Sequence, residues 1–191
     1  MNENISVAIG VLAVSVIFYY IGYINLIQKR NSVQEAFSGI NIQLKKRYDL
    51  IPNILTIAKA FMDHERNLME EITKLRARAI ELSDNIKNTK EKIKLDGEIA
   101  SKMGQIIVAM ENYPELKSND AMLEAIRAYK DVEDNISASR RFYNAGVREL
   151  NNMTDIFPLS LIAKIHNVER EEYFNTDEDI DKGVDAAKYL K

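Results

Sequence analysis

Two hydrophobic rhythms divide the chain. From Ile5 to Ile27 (ISVAIGVLAVSVIFYYIGYINLI) the apolar pattern is continuous, and no residue between Glu3 and Lys29 is charged. Beyond Lys29 apolar residues recur every three or four positions, the spacing that places them on one face of a helix. The continuous run holds 23 residues, enough at about 1.5 Å per residue to cross a hydrocarbon core of about 30 Å. A secretory signal would carry basic residues before a shorter apolar stretch and end at a small-x-small site. Here Glu3 is the one charged side chain ahead of the run, and the exit reads Asn25-Leu26-Ile27-Gln28-Lys29-Arg30. A buried core helix would carry charge on at least one face. Tyr19, Tyr20 and Tyr23 lie near one end, where amphipathic rings favour the membrane–water interface. Residues 1–28 therefore read as a transmembrane anchor.

The periodic part predicts helices. Val33, Ala36, Phe37, Ile40 and Leu44 mark one face, with no break between this stretch and the anchor. That helix is expected to stop near Tyr48-Asp49-Leu50-Ile51, because the residue before Pro52 is pushed away from helical geometry and proline suits a first turn. A second helix follows from Pro52 to Leu82, and Ser83-Asp84-Asn85 with Asn88-Thr89 reads as a polar turn. A third spans Lys90–Asn112, where Gly97 and Gly104 either weaken it or admit a close neighbour. Tyr113–Asn119 closes it, with Asn119 as cap for a fourth helix over Asp120–Asp155. Phe157-Pro158 ends that one, and Leu159–Ile165 forms a short terminal helix. Residues 169–191 hold eight acids against four bases, the composition of a mobile acidic tail with Tyr173-Phe174 docking back. The expected class is all-α: an N-terminal transmembrane helix continuing into an antiparallel bundle of about four long helices. Its segments are the anchor 1–28, the bundle 29–168 and the tail 169–191.

Composition narrows the chemistry. Among 191 residues there is no Cys, which removes disulfides, thiolate metal sites, iron–sulfur clusters and a thiol nucleophile. Two His leave little room for His-rich metal sites or triads. A net charge of −3 supplies no general pull toward nucleic acid. Seven Gly and three Pro are too few for the tight turns of an all-β or dinucleotide-binding chain. Without residues 1–28, 26 basic residues face 28 acidic ones, the balance of a solvated helical surface. Lys29, Arg30, Lys45, Lys46 and Arg47 all follow the span, so the positive-inside rule places the N-terminus outside and the body in the cytoplasm.

Three polar groups are candidates for more than packing. In Tyr48-Asp49-Leu50-Ile51-Pro52-Asn53, Asp49 is expected to cap the helix begun by Pro52; the alternative is a recognition surface of Tyr48, Asp49, Pro52 and Asn53 at the bundle tip. His64-Glu65 has Leu at position 68 and so lacks the second His of a zinc hydrolase motif. Glu65 is expected to be solvated beside Arg66 or paired with another helix. Glu133, Arg140, Tyr143 and Asn144 recur on one helix at spacings that make an inter-helix lock, with Lys45, Lys46 or Arg47 opposite Glu133. The Lys45-Lys46-Arg47 cluster would sit roughly 25 Å from the membrane on an upright helix, beyond a screening length of about 8–10 Å. Lipid contact there requires the helix to bend over. No catalytic, cofactor-binding or metal-ligating residue is assigned.

Several stretches together resemble the LemA family of bacterial membrane proteins. Val33–Leu55 (VQEAFSGINIQLKKRYDLIPNIL) carries the first signature, with His64-Glu65 at the expected distance. Glu111-Asn112-Tyr113-Pro114-Glu115-Leu116-Lys117 is the second; Glu133, Ile136, Arg140, Tyr143-Asn144, Asn151 and Phe157-Pro158 form the third. Phe37 stands where the family usually has Trp, Ala60 where Gly is common and Ser139 where Ala is common. The resemblance implies a membrane anchor followed by a bundle of long helices, and a family with no established biochemical activity. A relative in magnetosome membranes implies a role in membrane organisation; other relatives are associated with membrane proteolysis and envelope stress.

The preferred functional expectation is a non-enzymatic, membrane-tethered scaffold that binds other proteins, with the bilayer contacted through Ile5–Ile27. A membrane-shaping protein acting as an oligomer is the alternative, and a partner in membrane proteolysis or envelope stress a further one. Expected partners are lipid, membrane or cytoplasmic proteins and a second copy of the chain, with no nucleic acid. Gly10 with Ser15, and Gly22 with Leu26, do not make a small-xxx-small pairing motif in the span.

Overall fold

The three-and-four spacing of apolar residues is realised as helix throughout. A computed structural model describes residues 2–82 and 89–174, and among them every regular element is helical. The elements are α1 (Asn2–Lys59), α2 (Arg66–Glu81), α3 (Thr89–Ala109), α4 (Pro114–Lys117), α5 (Asp120–Asp155) and α6 (Leu159–Ile165). The polar turn expected at 83–88 and the tail beyond residue 174 lie outside the described residues.

The expected break before Pro52 is absent: α1 runs through it to Lys59. Proline normally costs a helix because it cannot donate to the carbonyl four residues back. Here that carbonyl belongs to Tyr48, and it accepts a hydrogen bond from Arg76 Nε of α2 at 2.5 Å. A donor distant in sequence thus replaces the missing one. Asp49 consequently caps no helix; it lies 4.0 Å from Arg76 Nη2 instead.

The true break comes later. After Lys59 the amides of Ala60 and Phe61 bond three residues back, to Ile57 and Ala58 carbonyls, a tightened turn held by buried Met62. The helix expected over 52–82 is therefore the end of α1, this turn and α2. The third helix ends in a single 3-10 turn at Met110–Asn112, and Pro114 occupies the first turn of α4. Asn119 Oδ1 accepts the Met122 amide at 3.0 Å and so caps α5. Gly97 and Gly104 admit no close neighbour, because a Cβ built on either meets nothing within 4 Å.

The chain divides into two compact units. The first comprises Met1–Gly39 and Ser139–Tyr173. In it α1 and α5 run antiparallel: Lys29 pairs with Glu149 at 2.5 Å, Val33 packs at Gly146, and the Phe37 and Tyr143 rings lie 5.8 Å apart. As α1 is followed upward the α5 partners step downward, by one helical turn at a time. Asn167, at φ 50°, turns the chain at the end of α6 while the Val168 amide bonds the Ala163 carbonyl at 2.9 Å. The next residues return along α5. Asn151 donates to the Glu171 carbonyl at 3.0 Å and accepts the Glu171 amide at 2.9 Å, and Tyr143 Oη donates to the Glu172 carbonyl at 2.9 Å. Tyr173, where this unit ends, stays exposed; Phe174, assigned to the second unit, is buried.

The second unit contains Ile40–Ala138. The remainder of α1, with α2, α3 and the first half of α5, encloses a core that includes Ile51, Ile54, Met69, Ile72, Ile99, Met103 and Ile136.

Candidate functional site

The most unusual feature of the second unit is charge inside its core. On α3 the apolar stripe through Leu95, Ile99 and Met103 also contains Lys92 and Asp96, both buried. On α1, Arg47 occupies the inward turn between Leu44 and Ile51 and is completely buried. On α5, Glu133 adjoins the buried Tyr129, Val132 and Ile136. Helical periodicity therefore forces Arg47, Lys92 and Asp96 inward, while Glu133 stands half-buried at the edge of the core.

They meet at Arg47. Its Nη1 donates to Glu133 Oε1 at 2.5 Å, while Nη2 donates to the Asp96 backbone carbonyl at 3.1 Å and pairs with the Asp96 carboxylate. The guanidinium carbon lies 6.0 Å from the centre of the Tyr48 ring. Nearby, Lys92 Nζ donates to Asn41 Oδ1 at 2.8 Å. Burial pushes the Tyr129 phenol well above its ordinary pKa; Arg47 opposes the shift, and Glu133 adds to it. Unit charges 4 Å apart attract by roughly 4 kcal/mol at an effective dielectric of about 20, against a desolvation cost of several kcal/mol per ion. One guanidinium facing two carboxylates, with extra hydrogen bonds, offsets that cost. A fork of five donors can hold α3 and α5 onto α1 at once, which the single ammonium of lysine could not do.

Arg47 is the basic residue that meets Glu133, and Lys45 and Lys46 point to solvent. Glu133 belongs to the second unit, while Arg140, Tyr143 and Asn144 belong to the first. There Tyr143 is buried and holds the returning segment; burial raises its phenol pKa, with Glu171 and Glu172 adding to the effect. Tyr48 is buried, Pro52 half-buried, and Asp49 and Asn53 exposed. Glu65 accepts a hydrogen bond from Tyr113 Oη at 2.9 Å, and that bond raises the Tyr113 pKa. Among the described residues no three acids or histidines are placed to hold a metal ion.

Asp96, Lys92, Asn41 and Arg76 escaped sequence reasoning. For Lys92 and Asp96 a signal existed: they stand four apart on an otherwise apolar stripe, where a charge must find a partner. For Arg76 there was none, since its partner is a backbone carbonyl exposed by a distant proline.

Residues 36–186 match the sequence profile of the LemA family. The chain belongs to the LemA family. The match includes Arg47, Pro52, Arg76, Asp96 and Glu133, so both the charge cluster and the proline–arginine contact lie inside the family region. Protein LemA of Metamycoplasma hominis is 26% identical over 148 residues, covering 77% of this chain and 66% of the relative. The magnetosome protein MamQ of Magnetospirillum gryphiswaldense is 29% identical over 80 residues, 42% of this chain. Magnetosome protein MamQ 2 of Paramagnetospirillum magneticum is 29% identical over 79 residues, 41% of this chain. The chain spans 29% of the length of each of these magnetosome relatives.

Proposed function

We propose that this LemA family chain is a single-pass, membrane-anchored helical scaffold that binds other proteins and carries out no catalysis itself. One observation carries the tether: α1 is the one helix among the described residues long and apolar enough to cross a membrane, and residues 4–21 are exposed along its whole circumference. A helix apolar on every side has no stable place in water, whereas a bilayer accepts it. The scaffold half of the reading rests on how charge is used. Arg47 and Asp96, both fully buried, and the half-buried Glu133 are engaged in joining α1 to α3 and α5. What remains for a partner is the outer surface, including Asp49 and Asn53 one turn apart on α1. Anchoring raises the local concentration of such a surface near membrane partners without strong pairwise affinity.

By the charge argument the N-terminus lies outside and the helical body in the cytoplasm. A reporter fused after Lys191 is expected to be active only in the cytoplasm; activity only on the other side overturns the orientation. Proximity labelling from the body in its native membrane is expected to enrich a defined protein set. Labelling no higher than a freely diffusing control removes the scaffold. The matches to magnetosome proteins favour a second reading, in which oligomers organise the bilayer. It predicts deformation of liposomes by the full-length protein at high surface density.

A further inference from the structure

The corner between α5 and α6 carries an apolar surface that its own unit leaves uncovered. Ile156 is 59% exposed, Phe157 74%, Leu161 54% and Ile165 65%. On the opposite side of α6, Ile162 and Ala163 are buried. The short helix is thus apolar on two faces, and only one is used inside the protein.

The position of that corner along α1 is set by three contacts. A Cβ on Gly22 would lie 2.7 Å from Ile162 Cδ1 and 2.9 Å from Leu159 Cδ2, so α6 approaches the α1 backbone there. The Tyr19 hydroxyl and His166 Nε2 are hydrogen-bonded at 2.8 Å, and the Tyr23 and His166 rings stand 4.4 Å apart. These contacts clamp α6 to the level of residues 19–23.

That level is the edge of the span. Residues 4–21 are exposed, and they cover about 27 Å at the helical rise. A hydrocarbon core of about 30 Å needs about 20 residues. The sequence places a carboxylate at position 3, which resists moving the span toward the N-terminus. The membrane boundary must therefore reach beyond Ile21, to the residues that α6 already touches. A helix held at that height cannot stay clear of the bilayer.

We infer that the α5–α6 corner is a second membrane-contact element, with Ile156, Phe157, Leu161 and Ile165 seated in the bilayer interface beside the anchor. The occupant of this face is lipid, because the face is continuous with an exposed apolar span at the same depth. Lys164, exposed on α6, is suited to anionic headgroups. The inference rests on the membrane-anchor reading above. It adds that the first unit lies on the membrane and is not held away from it.

The native chain has no Cys, so single cysteines report cleanly. Full-length Leu161→Cys, Ile165→Cys, Val11→Cys and Phe142→Cys variants, each with a polarity-sensitive fluorophore, are reconstituted into vesicles of phosphatidylethanolamine with phosphatidylglycerol. Val11, 62% exposed within the span, reports the anchor; Phe142, 68% exposed on α5, is the control away from the corner. Spin-labelled lipids quenching just below the headgroup, or near the chain ends, supply the depth. The expected result is loss of fluorescence at 161 and 165 with the shallow quencher, loss at 11 with the deep one, and no loss at 142. Quenching at 11 without quenching at 161 and 165 overturns the second contact and leaves the anchor standing. A blue shift at 161 and 165 that lipid does not quench means that protein covers the face, and also overturns it. Failure to quench at 11 removes the anchor reading and the inference with it.

Discussion

Arg47 shows what a single residue must satisfy once it is inside. A cation buried in the core requires anionic partners, supplied by Asp96 on α3 and Glu133 on α5. Arg47→Met leaves those carboxylates without their cation and is expected to lower unfolding stability by about 3–5 kcal/mol. Arg47→Lys keeps the charge but loses the fork, so an intermediate loss is expected. Urea unfolding of the full-length protein in detergent, followed by helical circular dichroism, measures both. Equal losses for the two substitutions would show that geometry, rather than charge, dominates the cluster.

At the scale of elements, the continuity of α1 depends on a contact outside it. Pro52 removes a donor from the Tyr48 carbonyl, and Arg76 of α2 supplies another at 2.5 Å. Arg76→Met is expected to cost about 1–3 kcal/mol, because a largely enclosed carbonyl loses its partner. In a Pro52→Ala background the alanine amide can bond that carbonyl within the helix. The Arg76 loss should then shrink, giving a coupling of about 0.5–3 kcal/mol in a double-mutant cycle. Additive losses would sink the account of how the proline is tolerated. This contact also explains why a helix end was expected at Pro52 and not found. Local rules penalise proline in mid-helix, and the compensating group lies on another element. The α5 and α6 boundaries were legible because their signals are local: Asn119 caps its own helix, and the Phe157-Pro158 pair interrupts the chain between them.

For the molecule as a whole, surface charge gives a pH dependence with a definite sign. Hydrogen bonding to Lys102 holds the Glu71 carboxyl below its ordinary pKa, and hydrogen bonding to Lys29 does the same for Glu149. An acid depressed in the folded state stabilises it above the unfolded pKa, and that contribution is lost as pH falls through the folded value. Glu171 has the opposite sign: burial raises its pKa, so ionisation above the ordinary carboxylate range weakens the fold. Between about pH 5 and about pH 3 the native chain is expected to lose stability faster than Glu71→Gln/Glu149→Gln. Thermal unfolding across that range checks it, and the difference should shrink in high salt because both pairs are exposed. Parallel curves at low salt would show that neither pair contributes.

What the sequence determined by itself was whatever depends on neighbours in the chain. Uncharged length made the apolar span, three-and-four periodicity made the helices, and motifs in order made the family resemblance. The tertiary structure decided what depends on partners far along the chain: that Arg47 is inside, that Pro52 interrupts nothing, and that α6 sits on Gly22. The physical reason is the same in each case. A buried charge, an orphan carbonyl and a missing Cβ each leave something to be filled, and only folding brings up the group that fills it.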